Sequence, residues 1–96
     1  MNNKDTEHRF TARIERSGDM DAAYVVVPVD IRKEYGKGRI KVDATFDGVP
    51  YCGSVVNMGV KDAAGNICYI IGITKAIRQQ IGKSFGDTVD VTLRTI

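Results

Sequence analysis

The chain has 96 residues, 43% hydrophobic and 27% charged, with a net charge of +2. That is enough for one domain with one core and an ordinary globular composition, and too little charge to imply nucleic acid by itself. No apolar run approaches the ~18 residues of a membrane span, and the polar N-terminus lacks the apolar stretch of a signal peptide, so a cytoplasmic location is expected.

Residues 1–8 read as a flexible leader, which leaves His8 without a placeable partner, and residues 9–96 as a single domain. Phe10, Ala12 and Ile14 alternate with Thr11, Arg13 and Glu15, a first strand. Ser17-Gly18-Asp19 is turn chemistry. The run Ala23–Val27 is apolar throughout and rich in branched residues, which fits a central strand covered on both faces. Pro28 ends it and suits the first turn of a short helix that carries Ile31 and stops at Gly36.

The clearest strand is Arg39–Phe46, with Ile40, Val42, Ala44 and Phe46 on one face. Asp47-Gly48 then signals a two-residue type I′ hairpin. That turn fixes the register, setting Phe46 against Val49, Ala44 against Tyr51, Val42 against Gly53 and Ile40 against Val55. It also sets Cys52 against Asp43 on the outer face and leaves Gly53 small where a barrel corner bends. Residues 62–66 make a second turn, and Ile67–Ile73 is again apolar at nearly every position.

Ile73, Ile77 and Ile81 then mark one helical face, with Thr74 as N-cap and Gly82 as the left-handed stop. Fewer than ~12 residues make a marginal helix, so this one depends on its isoleucine face for stability. Phe85-Gly86-Asp87 turns the chain into a last strand on which Val89, Val91 and Leu93 face inward.

The stretch 73–93 has a looser copy at 27–44. Val27, Ile31 and Tyr35 repeat the spacing of Ile73, Ile77 and Ile81. Ile31-Arg32 and Gly36-Lys37 match Ile77-Arg78 and Gly82-Lys83. After the glycine the later copy is three residues longer, and Ile40, Val42 and Ala44 then stand where Val89, Val91 and Leu93 stand. Two helices independently ended by glycine would leave the same trace, but the flanking strands match as well, which favours an internal repeat. Six to seven short strands, hairpins and two short helices give a mainly β fold, a small barrel.

The run Ile77-Arg78, Gly82, Gly86-Asp87 and Val89-Asp90-Val91 resembles the strand–helix–strand motif of AbrB/MazE-type transcription regulators. Phe10-Thr11-Ala12, Val27-Pro28, Val42-Asp43-Ala44 with Asp47-Gly48 and the closing run together resemble a bacterial family of domains of unknown function. That resemblance implies a small double-split β-barrel with a pseudo-two-fold internal repeat, both halves in one chain. It implies no activity.

Arg32 and Arg78 recur at one place in both copies, with Lys33 and Lys75 nearby. These four are the candidate ligand-binding residues, able to meet a phosphate or carboxylate from two pseudo-symmetric positions. The structural alternative is an arginine whose stem packs and whose head bonds a nearby loop carbonyl or aspartate. Lys37, Arg39, Lys41 and Lys83 would extend a basic surface, but Glu34, Asp43, Asp87 and Asp90 interrupt it, and the sequence pI is about 8.6.

Catalysis has little support. Cys52 as a nucleophile needs a cationic neighbour, and its expected neighbour is Asp43. Cys52, Cys68 and His8 share no metal-ligand spacing, so free thiols and neither metal nor cofactor are expected. The expectation is therefore a non-enzymatic binding or interaction module, as a monomer or weak homodimer with no membrane association. Its partner would be an unspecified ligand or protein, and DNA binding in the manner of the resembled regulators is the second reading.

Overall fold

The computed structural model describes residues 7–18 and 21–95. Its strands are β1 (Glu7–Arg13), β2 (Glu15–Arg16), β3 (Ala23–Val27), β4 (Arg39–Phe46), β5 (Val49–Lys61), β6 (Ile67–Ile73) and β7 (Thr88–Thr95). Two helices, α1 (Ile31–Tyr35) and α2 (Lys75–Ile81), complete the described elements. The strands form one antiparallel sheet in the order β1-β7-β4-β5-β6-β3-β2.

That order places β1 and β2 at opposite edges, although only Ile14 separates them in the chain. The sheet therefore curls into a half-barrel in which one bent segment supplies both edges. Ile14 is the corner and is 0% exposed. Its N–H donates to the Asp87 carbonyl and its carbonyl accepts from Gly86 N–H, each at 2.8 Å, so both backbone groups of Ile14 are paired at the bend. Gly86 has φ +90°, a conformation that favours glycine, in the turn that meets this corner.

The alternation read from the sequence becomes the core. Val42, Ala44 and Phe46 of β4 and Val89, Val91 and Leu93 of β7 are buried together with Val25, Val55, Ile71 and Ile73. Each fully buried side chain of this kind contributes roughly 1.5–3 kcal/mol. Ile31 and Ile77 anchor α1 and α2 to the same cluster. The Asp47-Gly48 hairpin has φ of +49° and +86°, as a type I′ turn requires, and all four expected inward pairs are found.

Three expectations about the N-terminal segment and α1 need correction. Residues 7 and 8 do not belong to a leader, because β1 begins at Glu7 and pairs with β7 from there; residues 1–6 lie outside the described residues. His8 has a partner, with its Nε2 2.9 Å from the Tyr35 hydroxyl. Pro28 lies outside α1. Asp30 is the N-cap, its carboxylate accepting from Lys33 N–H at 3.1 Å, so the helix starts after it.

β3 is covered fully on one face only. Ala23, Val25 and Val27 are buried, while Tyr24 and Val26 are half-buried beside Ile70 on the other face. A wholly apolar run does not distinguish a second covering layer from packing against neighbours in the same sheet.

The Tyr51 ring lies over Gly53, where a Cβ would stand 2.5 Å from a ring carbon. Cys52 and Cys68 are free thiols. No helix among the described residues is long and apolar enough to cross a membrane.

Candidate functional site

Both helices are built alike. Thr74 caps α2 by accepting from Ile77 N–H at 3.2 Å, as Asp30 caps α1. Gly36 and Gly82 end them in the left-handed conformation, with φ of +69° and +70°. Arg32 and Arg78 each stand four residues before that glycine. Their surroundings differ.

Arg78 is buried, its side chain only 7% exposed. Nη1 donates to Asp21 Oδ1 at 3.3 Å and Nη2 to the Asp21 carbonyl at 3.4 Å. Lys75 Nζ reaches the other carboxylate oxygen of Asp21 at 3.1 Å. The guanidinium carbon lies 5.0 Å from the centroid of the Phe85 ring, against which Arg16 also stacks at 5.4 Å. Arg78 Nε is buried without a hydrogen-bond partner among the described residues. Tight charge-assisted bonds measure ~2.7–2.9 Å, so Asp21 is held loosely. The Lys75 ammonium, and after it the Arg78 guanidinium, hold the Asp21 carboxyl below the usual carboxylate range. The cleft here, lined by Asp21, Lys75, Arg78, Phe85 and Asp87, has a volume of about 370 Å³.

Lys83, at the end of the same helix, is also engaged. Its Nζ lies 2.6 Å from Asp47 Oδ2, while Asp47 Oδ1 accepts from Asp90 N–H at 2.8 Å. These two contacts hold the Asp47 carboxyl low, the Lys83 bond being the larger cause. They tie the β4–β5 hairpin to β7 and to the chain leaving α2.

Around α1 the arrangement is open. Arg32 and Lys33 are exposed, and neither side chain makes an ion pair or hydrogen bond among the described residues. They line a groove of about 620 Å³ with Asp30, Asn66, Ile67 and Tyr69, between α1 and the tip of the β5–β6 hairpin. Asp30, the carboxylate in this groove, is the helix cap. Ile67 is 51% exposed.

The four residues singled out in the sequence thus fall into two pairs, Lys75 with Arg78 at one cleft and Arg32 with Lys33 at another. Arg78 makes the contacts that the structural alternative describes. Sequence reasoning missed Asp21 and Phe85. Phe85 carried a signal, since a lone aromatic inside the polar run Lys83-Ser84-Phe85-Gly86-Asp87 needs something to cover. Asp21 carried none, because only the fold brings it to α2.

Cys52 faces Asp43 as its register predicts, its Sγ donating to a carboxylate oxygen at 3.5 Å. That is the opposite of the electropositive setting a nucleophilic thiol needs. Among the described residues, no group of three or more His, Cys, Asp or Glu stands together as a metal site would require.

A family model described as a domain of unknown function, DUF1905, matches residues 10–93. No curated protein matches the chain.

Proposed function

The chain belongs to the DUF1905 family, and from that premise and the two helix-borne arginines we propose a non-enzymatic binding module for an anionic group. The observation that carries this reading is the contact of both Lys75 and Arg78 with Asp21, a carboxylate. Arg32, in the same position on the other helix and with Lys33 beside it, is the second half of the device. Cys52 beside Asp43 and His8 against Tyr35 supply no catalytic pair.

We read the fold as a double-split barrel with a pseudo-two-fold repeat, and the strand register supports this. The offset that carries Ile31 to Ile77 carries Val25 to Ile71, and those two residues pair. The offset that carries Ile40 to Val89 carries Ala44 to Leu93, and those two also pair. An axis through both pairs would relate β3-α1-β4 to β6-α2-β7. A distant relation to AbrB/MazE-type regulators, and a bacterial source, are part of the same proposal and rest on the sequence resemblance alone.

DNA binding in the manner of those regulators is the second reading, favoured by Arg32, Lys33, Lys37, Arg39 and Lys41, whose side chains make no ion pair among the described residues. Titration with citrate, inorganic phosphate and a short duplex DNA at several salt concentrations separates the two. The anion module gives saturable small-anion binding that weakens in Arg32→Gln and Lys33→Gln variants. A steep fall of DNA affinity with salt, with no small-anion binding, would replace it by the second reading.

A further inference from the structure

We infer that the groove between α1 and the β5–β6 hairpin is the open member of the pair, and that it takes a carboxylate borne on an apolar body. This rests on the anion-binding reading above and names the site and ligand class within it. The offset that superposes Arg32 on Arg78 also superposes Ile67 on Asp21. Both equivalences hold in space: Asp21 and Arg78 line one cleft, and Ile67 and Arg32 line the other. In the α2 cleft the chain's own carboxylate answers the arginine. In the α1 groove the same position holds an exposed isoleucine, so no carboxylate from that position meets Arg32.

The lining then reads as a ligand description. Arg32 and Lys33 supply the positive charge, while Asp30, the acidic residue in the lining, is committed to the helix N-terminus. Ile67 and Tyr69 offer apolar surface beside those cations, and Asn66 a polar side chain. The groove is open to solvent and, at about 620 Å³, larger than the about 370 Å³ cleft beside α2. A carboxylate on an aliphatic or aromatic body matches both features; a bare phosphate would leave Ile67 and Tyr69 unused.

The test transplants the carboxylate. Hexanoate, and separately the capped peptide acetyl-Leu-Asp-Leu-amide, are titrated into the labelled protein at neutral pH while backbone amide shifts are recorded. Hexanamide serves as the uncharged control. Saturable shifts are expected at Arg32, Lys33, Asn66 and Ile67 with one acid or both, and which acid binds tells a free acid from a peptide. Ile67→Asp, at an exposed position, is expected to weaken binding at least tenfold by closing the groove from within. Asp21→Asn is expected to add a second responding set at Lys75 and Arg78.

Equal binding of hexanamide, or unchanged binding by the Ile67→Asp variant, would overturn the assignment. Shifts confined to the α2 cleft in the unaltered protein would overturn it while leaving the anion-binding module standing. Silence of both helices to every acid and to phosphate would remove both.

Discussion

Arg32 and Arg78 each stand four residues before the glycine that ends a short helix, yet one is exposed without a partner among the described residues and the other is buried against Phe85 and Asp21. The helices share the frame that makes them helices: a side-chain cap, an isoleucine in the core and a left-handed glycine. They differ in what the rest of the chain brings. The loop after Gly82 is three residues longer than the one after Gly36 and carries Phe85. Asp21 arrives from the segment before β3, where the corresponding residue before Cys68 is Ile67. A local pattern therefore fixes the helix and its arginine, while Asp21, distant in the sequence, and Phe85, from the loop that follows the helix, decide whether that arginine is occupied or available.

The comparison can first be tested on what the helices share. Ile31→Ala and Ile77→Ala each remove a buried anchor and should each cost about 2–4 kcal/mol in urea unfolding. A large cost at one helix and little at the other would break the claim of a common frame.

The arginines should separate the helices. Arg78→Ala is expected to cost about 2 kcal/mol, through the lost stem packing and the lost contacts to Asp21 and Phe85. Arg32→Ala should stay within about 0.5 kcal/mol, as surface substitutions do. A double-mutant cycle between Arg78 and Phe85 should return a coupling of about 1 kcal/mol. Similar costs for the two arginines would erase the distinction.

The caps return to common ground. Asp30→Ala and Thr74→Ala should each cost about 1 kcal/mol, also read from urea unfolding.

Acid should separate the helices again, by a smaller amount. Asp21 and Asp47, both beside α2, have carboxyls held below the usual range by Lys75 and Lys83 first. A carboxyl lowered in the folded state takes up its proton in the unfolded chain first as pH falls. Its contribution is therefore complete above about pH 4 and is lost as pH drops towards the folded value. Amide shifts of Lys75, Arg78 and Lys83 should follow these two carboxyls and move below about pH 4. Combining Asp21→Asn with Asp47→Asn should flatten the loss of stability on acidification; an unchanged slope would show that these pairs do not couple to folding.

Much of the framework was legible in the amino-acid order. Period-two alternation gave the inward faces of β4 and β7, and Asp47-Gly48 gave the β4–β5 register, because a two-residue turn leaves no freedom to slip. Thr74 and Gly82 gave the ends of α2, because capping is decided within one helical turn. The α1 boundary was misplaced because Pro28 and Asp30 are both start signals, and the contact of Asp30 with Lys33 N–H chose between them. His8 was misread because a polar residue in a polar stretch carries no sign of the strand that pairs with it across the sheet.

By itself, then, the sequence determined the inward faces, the tight turn and the two short helices with their arginines, since each depends on residues a few positions apart. The tertiary structure alone decided that Ile14 joins two opposite edges of one curled sheet, that the Tyr51 ring lies over Gly53, and that Asp21 reaches Arg78 while Ile67 stands near Arg32. Those contacts join residues brought together by the curl of the sheet, and they form only once burial of the shared core has fixed that curl.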